Sequence, residues 1–240
     1  MIMQLHKNQR RHILVDIDTQ KDFLSPSGTA CINNHQQVLA NIRRVIAWVR
    51  MKDVPVVSTA EVYPNHFGGS YCIDGTEGQQ KISYTLLKSR ISFPADAWNA
   101  LPTDLLRKYQ QVILHKRCID PFEEPLIERL LSEVRADEFI LLGCDAEQAV
   151  VATALGLLQR GRKVTVITDA TGWHNERQAK LAFGKMAVKG AVLVTTRDVA
   201  GLSHLAIPTT ACYDLQIRKS RFKLQDLCRP VPQPFRVPAY

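Results

Sequence analysis

Short apolar runs alternate along this chain with stretches in which apolar positions recur every three or four residues. HILVDID (12–18), VPVVSTA (54–60), Val112 to His115, Phe139 to Leu142, KVTVITDA (163–170) and AVLVTT (191–196) are brief, apolar and rich in β-branched residues, and they predict six strands. Between the first two, Gln36 to Met51 places Val38, Leu39, Ile42, Val45, Ile46 and Val49 on one face of a helix. Further helices are expected over Glu123 to Arg135, over 147–160 and over about 175–189. Strands that are apolar on both faces and separated by helices indicate an α/β fold, a mostly parallel six-stranded sheet covered on both sides.

Two regions break the alternation. Residues 63–101 are rich in Gly, Pro, Asn and Ser and are expected to form a long irregular loop or lid. From Pro208 the chain turns Pro-rich and basic, ending near RPVPQPFRVP, and reads as an extended arm. The expected organisation is one α/β domain over 1–208 and an arm over 209–240 that could cross to a neighbouring subunit.

Charge and cysteine content refine this picture. The net charge of +8 is concentrated at the ends: residues 1–12 carry three bases and no acid, and 209–240 carry six bases and two acids. Basic ends can serve a protein or nucleic-acid partner. Cys31, Cys72, Cys118, Cys144, Cys212 and Cys228 show no CxxC or metal-ligand spacing and are read as free thiols. No apolar run reaches the length of a membrane span, and residues 1–11 lack the apolar centre of a secretory signal, so a cytoplasmic protein with no membrane partner is expected.

The segment GCDAEQAVVATALGLLQRG (143–161) carries the chemistry of interest: a strand, a glycine turn and an amphipathic helix. In open α/β sheets this turn is where ligands bind. A nucleophile there would gain from the free N–H groups and positive end of the helix. Together with ILVDIDTQKDF and VILHKRCIDPF, the segment LLGCDAEQAVVATALGLLQRGRKVTVITDA resembles the isochorismatase-like cysteine hydrolases, and within them the nicotinamidase-like branch. The resemblance covers roughly residues 12–200. It implies a Rossmann-like sheet of order 3-2-1-4-5-6 and assembly as a dimer or tetramer, with the site near a subunit interface.

The resemblance also implies a site in which a thiolate attacks an amide or related carbon, an Asp takes its proton, and a Lys orients both. Asp18 matches the aspartate and Lys116 the lysine, while the cysteine position is Ala149. The backbone N–H groups of Asp145 and Ala149 match the oxyanion hole, and a cis peptide, if kept, falls at Cys144–Asp145. An acid at Asp145 opposes a developing oxyanion, and capping of the following helix is its more ordinary role. Phe23, Tyr63, Tyr71, Cys144 and Trp173 are expected to line the pocket. Asp16 and Asp22 are lesser candidates, Asp22 as a group that orders the loop.

In the nicotinamidase-like branch, Asp-x-His and a later His hold a divalent metal. The matching positions here are Glu61, Tyr63 and Tyr71, a poor first-row metal site, with His66 as a conceivable recruit. No metal and no other cofactor is expected. Cys144 and Cys118 lie close enough in sequence to the same crevice to be weighed as relocated nucleophiles, against the plainer reading of small buried residues.

Three functional readings follow. The first is a pseudoenzyme that kept Asp18 and Lys116, lost its nucleophile, and binds a small amide or carboxylate ligand or a protein partner. The second is an active amide hydrolase that uses another cysteine, or in which Ala149 was introduced in place of one. The third is a nucleic-acid-associated scaffold acting through its basic termini.

Overall fold

The computed structural model describes residues 12–65, 70–95, 101–102 and 104–201. The first strand, β1 (His12–Ile17), leads into a single helical turn, α1 (Lys21–Leu24), and the long helix α2 (His35–Lys52). The chain continues through β2 (Val56–Glu61), β3 (Arg90–Phe93), α3 (Leu105–Lys108), β4 (Gln111–Lys116), α4 (Pro125–Glu133) and β5 (Glu138–Gly143). It ends with α5 (Val151–Gln159), β6 (Val164–Thr171), α6 (Glu176–Val188), β7 (Val192–Val194) and a short α7 (Thr196–Ala200).

The strands form one parallel sheet in the order β3-β4-β2-β1-β5-β6-β7. The six expected strands take the expected order. The sheet has seven strands rather than six because β3, within the stretch read as irregular, pairs with the edge of β4. Its four residues alternate: Arg90 and Ser92 are exposed, whereas Ile91 and Phe93 pack on the core. That period of two was visible in RISF, but it is too short to stand out from a Gly- and Pro-rich surround. The expected arm, 209–240, the basic stretch 1–11 and His66 lie outside the described residues. Among the described residues, no helix is long and apolar enough to cross a membrane.

Two apolar layers cover the sheet. One joins α2 to its face through Val38, Ile42, Val45, Ile46 and Val49, all buried. The other gathers Ile127, Leu131, Ala154, Leu157 and Met186 from α4, α5 and α6. Full burial of each Leu, Ile or Val contributes about 1.5–3 kcal/mol. These layers hold the carboxyl ends of β1, β2, β4 and β5 side by side, and that row of strand ends forms the floor of the site.

Asp16 and Asp22 are accounted for structurally. Buried Asp16 accepts hydrogen bonds from Thr19 (2.7 Å) and Ser58 (2.8 Å) and pairs with Lys81 Nζ at 3.1 Å. Asp22 accepts from the backbone N–H groups of Thr29 (3.1 Å) and Cys72 (2.6 Å). Both fasten the segment after β2 over the strand ends, as read for Asp22.

Candidate functional site

Adjacent parallel strands present their last residues at one edge, so the functional groups meet. Glu61 and Lys116 are register partners across β2 and β4, and Ile17 faces Gly143 across β1 and β5. Asp18 follows β1 in the left-handed region (φ 47°). Lys116 Nζ lies 2.9 Å from Asp18 Oδ2 and 2.7 Å from Glu61 Oε1. It also donates to the carbonyls of Cys118 (3.0 Å) and Ile119 (3.4 Å). Asp18 and Lys116, brought together as expected, form with Glu61 a fully buried charge cluster.

Two residues that the sequence reading did not single out complete this frame. Thr59 Oγ1 donates to Asp18 Oδ1 at 2.7 Å and orients it. The Gln20 amide clasps the Glu61 backbone, accepting from its N–H (2.8 Å) and donating to its carbonyl (2.7 Å). Glu61 itself, noted only as a degenerate metal position, is the second partner of Lys116. The available clue was that VVSTAE and VILHK both end in a charge of opposite sign at the same strand end.

The electrostatics follow from burial. Burial and the nearby Asp18 carboxylate push Glu61 up to about 7, against the opposing pull of Lys116 and Tyr63. Burial alone would lower Lys116, but Asp18 and Glu61 more than offset it and hold the ammonium above its ordinary value. Burial, then the Glu61 charge, raises the phenols of Tyr63 and Tyr71.

Above this cluster lies a cavity of about 70 Å³, lined by Phe23, Glu61, Tyr71, Asp145, Ala149 and His174 among others. Tyr71 stacks between Phe23 and Tyr63, each ring centroid 5.5 Å away. Tyr63 thus backs the wall rather than lining it. Trp173, expected in the pocket, does not line the cavity. Its N–H donates to Asn34 Oδ1 (3.0 Å) and its carbonyl accepts from the Asn33 N–H (2.9 Å), tying it to the approach to α2. His174 takes the lining position instead.

The turn into α5 differs from a free oxyanion hole. The Cys144–Asp145 peptide is cis, at the bond the resemblance indicated. A wide turn follows, with Val150 N–H donating to the Asp145 carbonyl at 2.9 Å. Asp145 caps it: Oδ1 accepts from the N–H groups of Gln148 (3.0 Å) and Ala149 (3.3 Å), and Oδ2 accepts from the Gln148 side chain (3.0 Å). The Ala149 N–H, which would face a developing oxyanion, is therefore already bonded to a carboxylate. Burial and the neighbouring Glu147 raise the Asp145 carboxyl, against the pull of His174, whose Nε2 lies 3.7 Å from Oδ2.

A model of the Isochorismatase domain matches residues 12–198. The chain belongs to the isochorismatase-domain family. It is 23% identical over 211 residues to the nicotinamidase of Escherichia coli (strain K12), covering 77% of this chain and 95% of the relative. It is 24% identical over 163 residues to human isochorismatase domain-containing protein 2, covering 68% of this chain and 63% of that protein. Among solved structures, the pyrazinamidase of Pyrococcus horikoshii in complex with zinc matches with a TM-score of 0.60 and 21% identity, over 77% of this chain and 99% of that one. That structural likeness carries the fold, and the sequence relatives support the nicotinamidase-like branch.

The residues at the branch's metal positions do not fit a metal. Glu61 Oε1 is held by Lys116, and the other two positions are phenols raised above their ordinary value, which stay neutral near pH 7. Among the described residues, no group of three or more His, Cys, Asp or Glu could hold a metal ion.

Neither relocated thiol is suited to attack. Cys144 lines the cavity but is buried, and burial followed by Asp145 raises it well above an ordinary thiol. Burial and Glu124 push Cys118 up to about 11, and its Sγ donates to the Asp120 carbonyl at 3.3 Å. A thiol that stays protonated is a poor nucleophile. All four described cysteines are free.

Proposed function

We propose that this chain is a catalytically silent member of its family that acts by binding a small molecule or a protein partner in the cytoplasm. The observation that carries this reading is the state of the helix start. Position 149 is a methyl group, and its N–H, the donor a reaction would need, is taken by Asp145. The raised thiols of Cys144, which is buried, and Cys118, which is half-buried, support it further.

One feature favours the hydrolase reading. Asp18, Thr59 and Lys116 retain an ordered acid–base frame. The two readings separate in an assay of nicotinamide and a panel of small amides. The protein is expected to be inert. Ala149→Cys alone is expected to stay inert too, because Asp145 still occupies the backbone donor. Ala149→Cys with Asp145→Ala frees that donor and is the combination in which turnover would first emerge. Hydrolysis by the unsubstituted protein would overturn the silent reading.

Homo-oligomer assembly belongs to the same proposal. It is supported by large apolar side chains left exposed on α6 and β7, Leu181, Val188 and Val192. Sedimentation velocity is expected to give a dimer or tetramer, and a strictly monomeric protein would remove the claim. The nucleic-acid reading rests on residues 1–12 and 209–240 and gains no support from the described residues.

A further inference from the structure

On the reading of this crevice as a binding site rather than a reaction centre, we propose that its ligand is a small organic cation, a protonated amine of about methylammonium size, and not a carboxylate.

Two of the groups that would receive an anion or a carbonyl oxygen, the Lys116 ammonium and the Ala149 N–H, are already engaged. The three N–H bonds of Lys116 meet four acceptors within 3.4 Å: Asp18, Glu61 and the carbonyls of Cys118 and Ile119. The Ala149 and Gln148 N–H groups both point at Asp145. An acceptor stands open. Glu61 is 4% exposed and lines the cavity, and its Oε2 makes no well-formed hydrogen bond, although the Tyr63 hydroxyl also acts on this carboxyl group. A buried, unmatched carboxylate oxygen calls for a donor, and most strongly for a charged one.

Charge and shape agree with that choice. Asp18, Glu61 and Asp145 set three carboxyl groups around the single ammonium of Lys116, with Glu147 close enough to act on Asp145 and His174 opposite it. The aromatic rings of Phe23 and Tyr71 line the cavity, and such rings attract a cation. About 70 Å³ holds a small polar group, since one water needs only about 10–15 Å³ of such space. Methylammonium fits that space, as would the terminal amine of a longer ligand.

The test is a calorimetric titration of the full chain with methylammonium chloride, and with acetamide and sodium acetate as its neutral and anionic counterparts, at constant ionic strength. Saturable binding of methylammonium is expected, at least tenfold tighter than either counterpart. Glu61→Gln keeps the shape and removes the charge, and is expected to weaken methylammonium about tenfold or more. Asp145→Asn keeps a helix-capping oxygen and is expected to weaken it in the same direction, so it carries the test if Glu61→Gln does not fold. No saturable methylammonium binding, or equal binding in both variants and the parent, overturns the assignment. An inert protein that prefers acetate or acetamide also overturns it, while leaving the binding reading intact. A protein that prefers methylammonium yet hydrolyses amides does the reverse.

Discussion

Replacing Lys116 by Met is expected to destabilise the protein by about 3–5 kcal/mol, the usual consequence of removing one partner from a buried ion pair. The side chain is fully buried, and Asp18 and Glu61 would be left facing each other without a counter-ion. The loss should depend on pH, with a sign fixed by Glu61. In the folded protein Glu61 stands near 7, against an ordinary value of 4.5. A carboxyl raised on folding favours the folded state at low pH. That contribution is complete below about 4.5 and is lost as the pH climbs through 7. Without Lys116 the Glu61 carboxyl would lose the partner that lowers it and would resist ionisation more strongly. Denaturant melts of parent and variant should therefore differ least near pH 5 and most near pH 8. Adding Glu61→Gln to Lys116→Met should recover part of the loss at pH 8. A stability difference that stays flat across this range would show that the cluster is not held together by charge.

Gly143→Ala is expected to destabilise by about 2–6 kcal/mol, combining backbone strain with steric overlap. Gly143 ends β5 at φ 123°, and a Cβ there would sit 1.8 Å from the Ile17 carbonyl oxygen. That carbonyl accepts the Cys144 N–H at 2.9 Å, so the clash falls on the joint between β1 and the turn into α5. Asp18 follows Ile17 directly, so the overlap falls beside the residue that pairs with Lys116. A thermal melt is expected to fall by roughly 4–24 °C, at about 2–4 °C per kcal/mol for a chain of this size. A melt within two degrees of the parent would mean that β1 and β5 separate more readily than their register suggests.

Much of the site was legible because parallel strands share one carboxyl edge. Any charged residue that ends an apolar run in such a sheet points into the same crevice, which located Asp18 and Lys116 from ILVDID and VILHK. The helix start at Asp145 was legible for a similar reason, since an Asp three or four residues ahead of an amphipathic stretch is a cap. Other features were not legible. Trp173 looked like a pocket residue because it follows β6, but two backbone hydrogen bonds to Asn33 and Asn34 turn it elsewhere. Thr59 and Gln20 carry no motif of their own that marks them as partners of Asp18 and Glu61. β3 went unread because four alternating residues are outweighed by a loop-like surround.

By itself the sequence determined the α/β class, the order of six of the strands through its family resemblance, the pair Asp18 and Lys116, and the methyl group at 149. These follow from local periodicity and from residue identity, which need no knowledge of what lies alongside. Only the tertiary structure decided that Glu61 shares Lys116 with Asp18, and that the Asp145 carboxylate fills the donor at Ala149. It also decided that the space above them is small and that Glu61 and Asp145 line it. Those are outcomes of strand register, burial and hydrogen-bond competition between segments as far apart as β2 and α5. A chain read one residue at a time carries no distance between them.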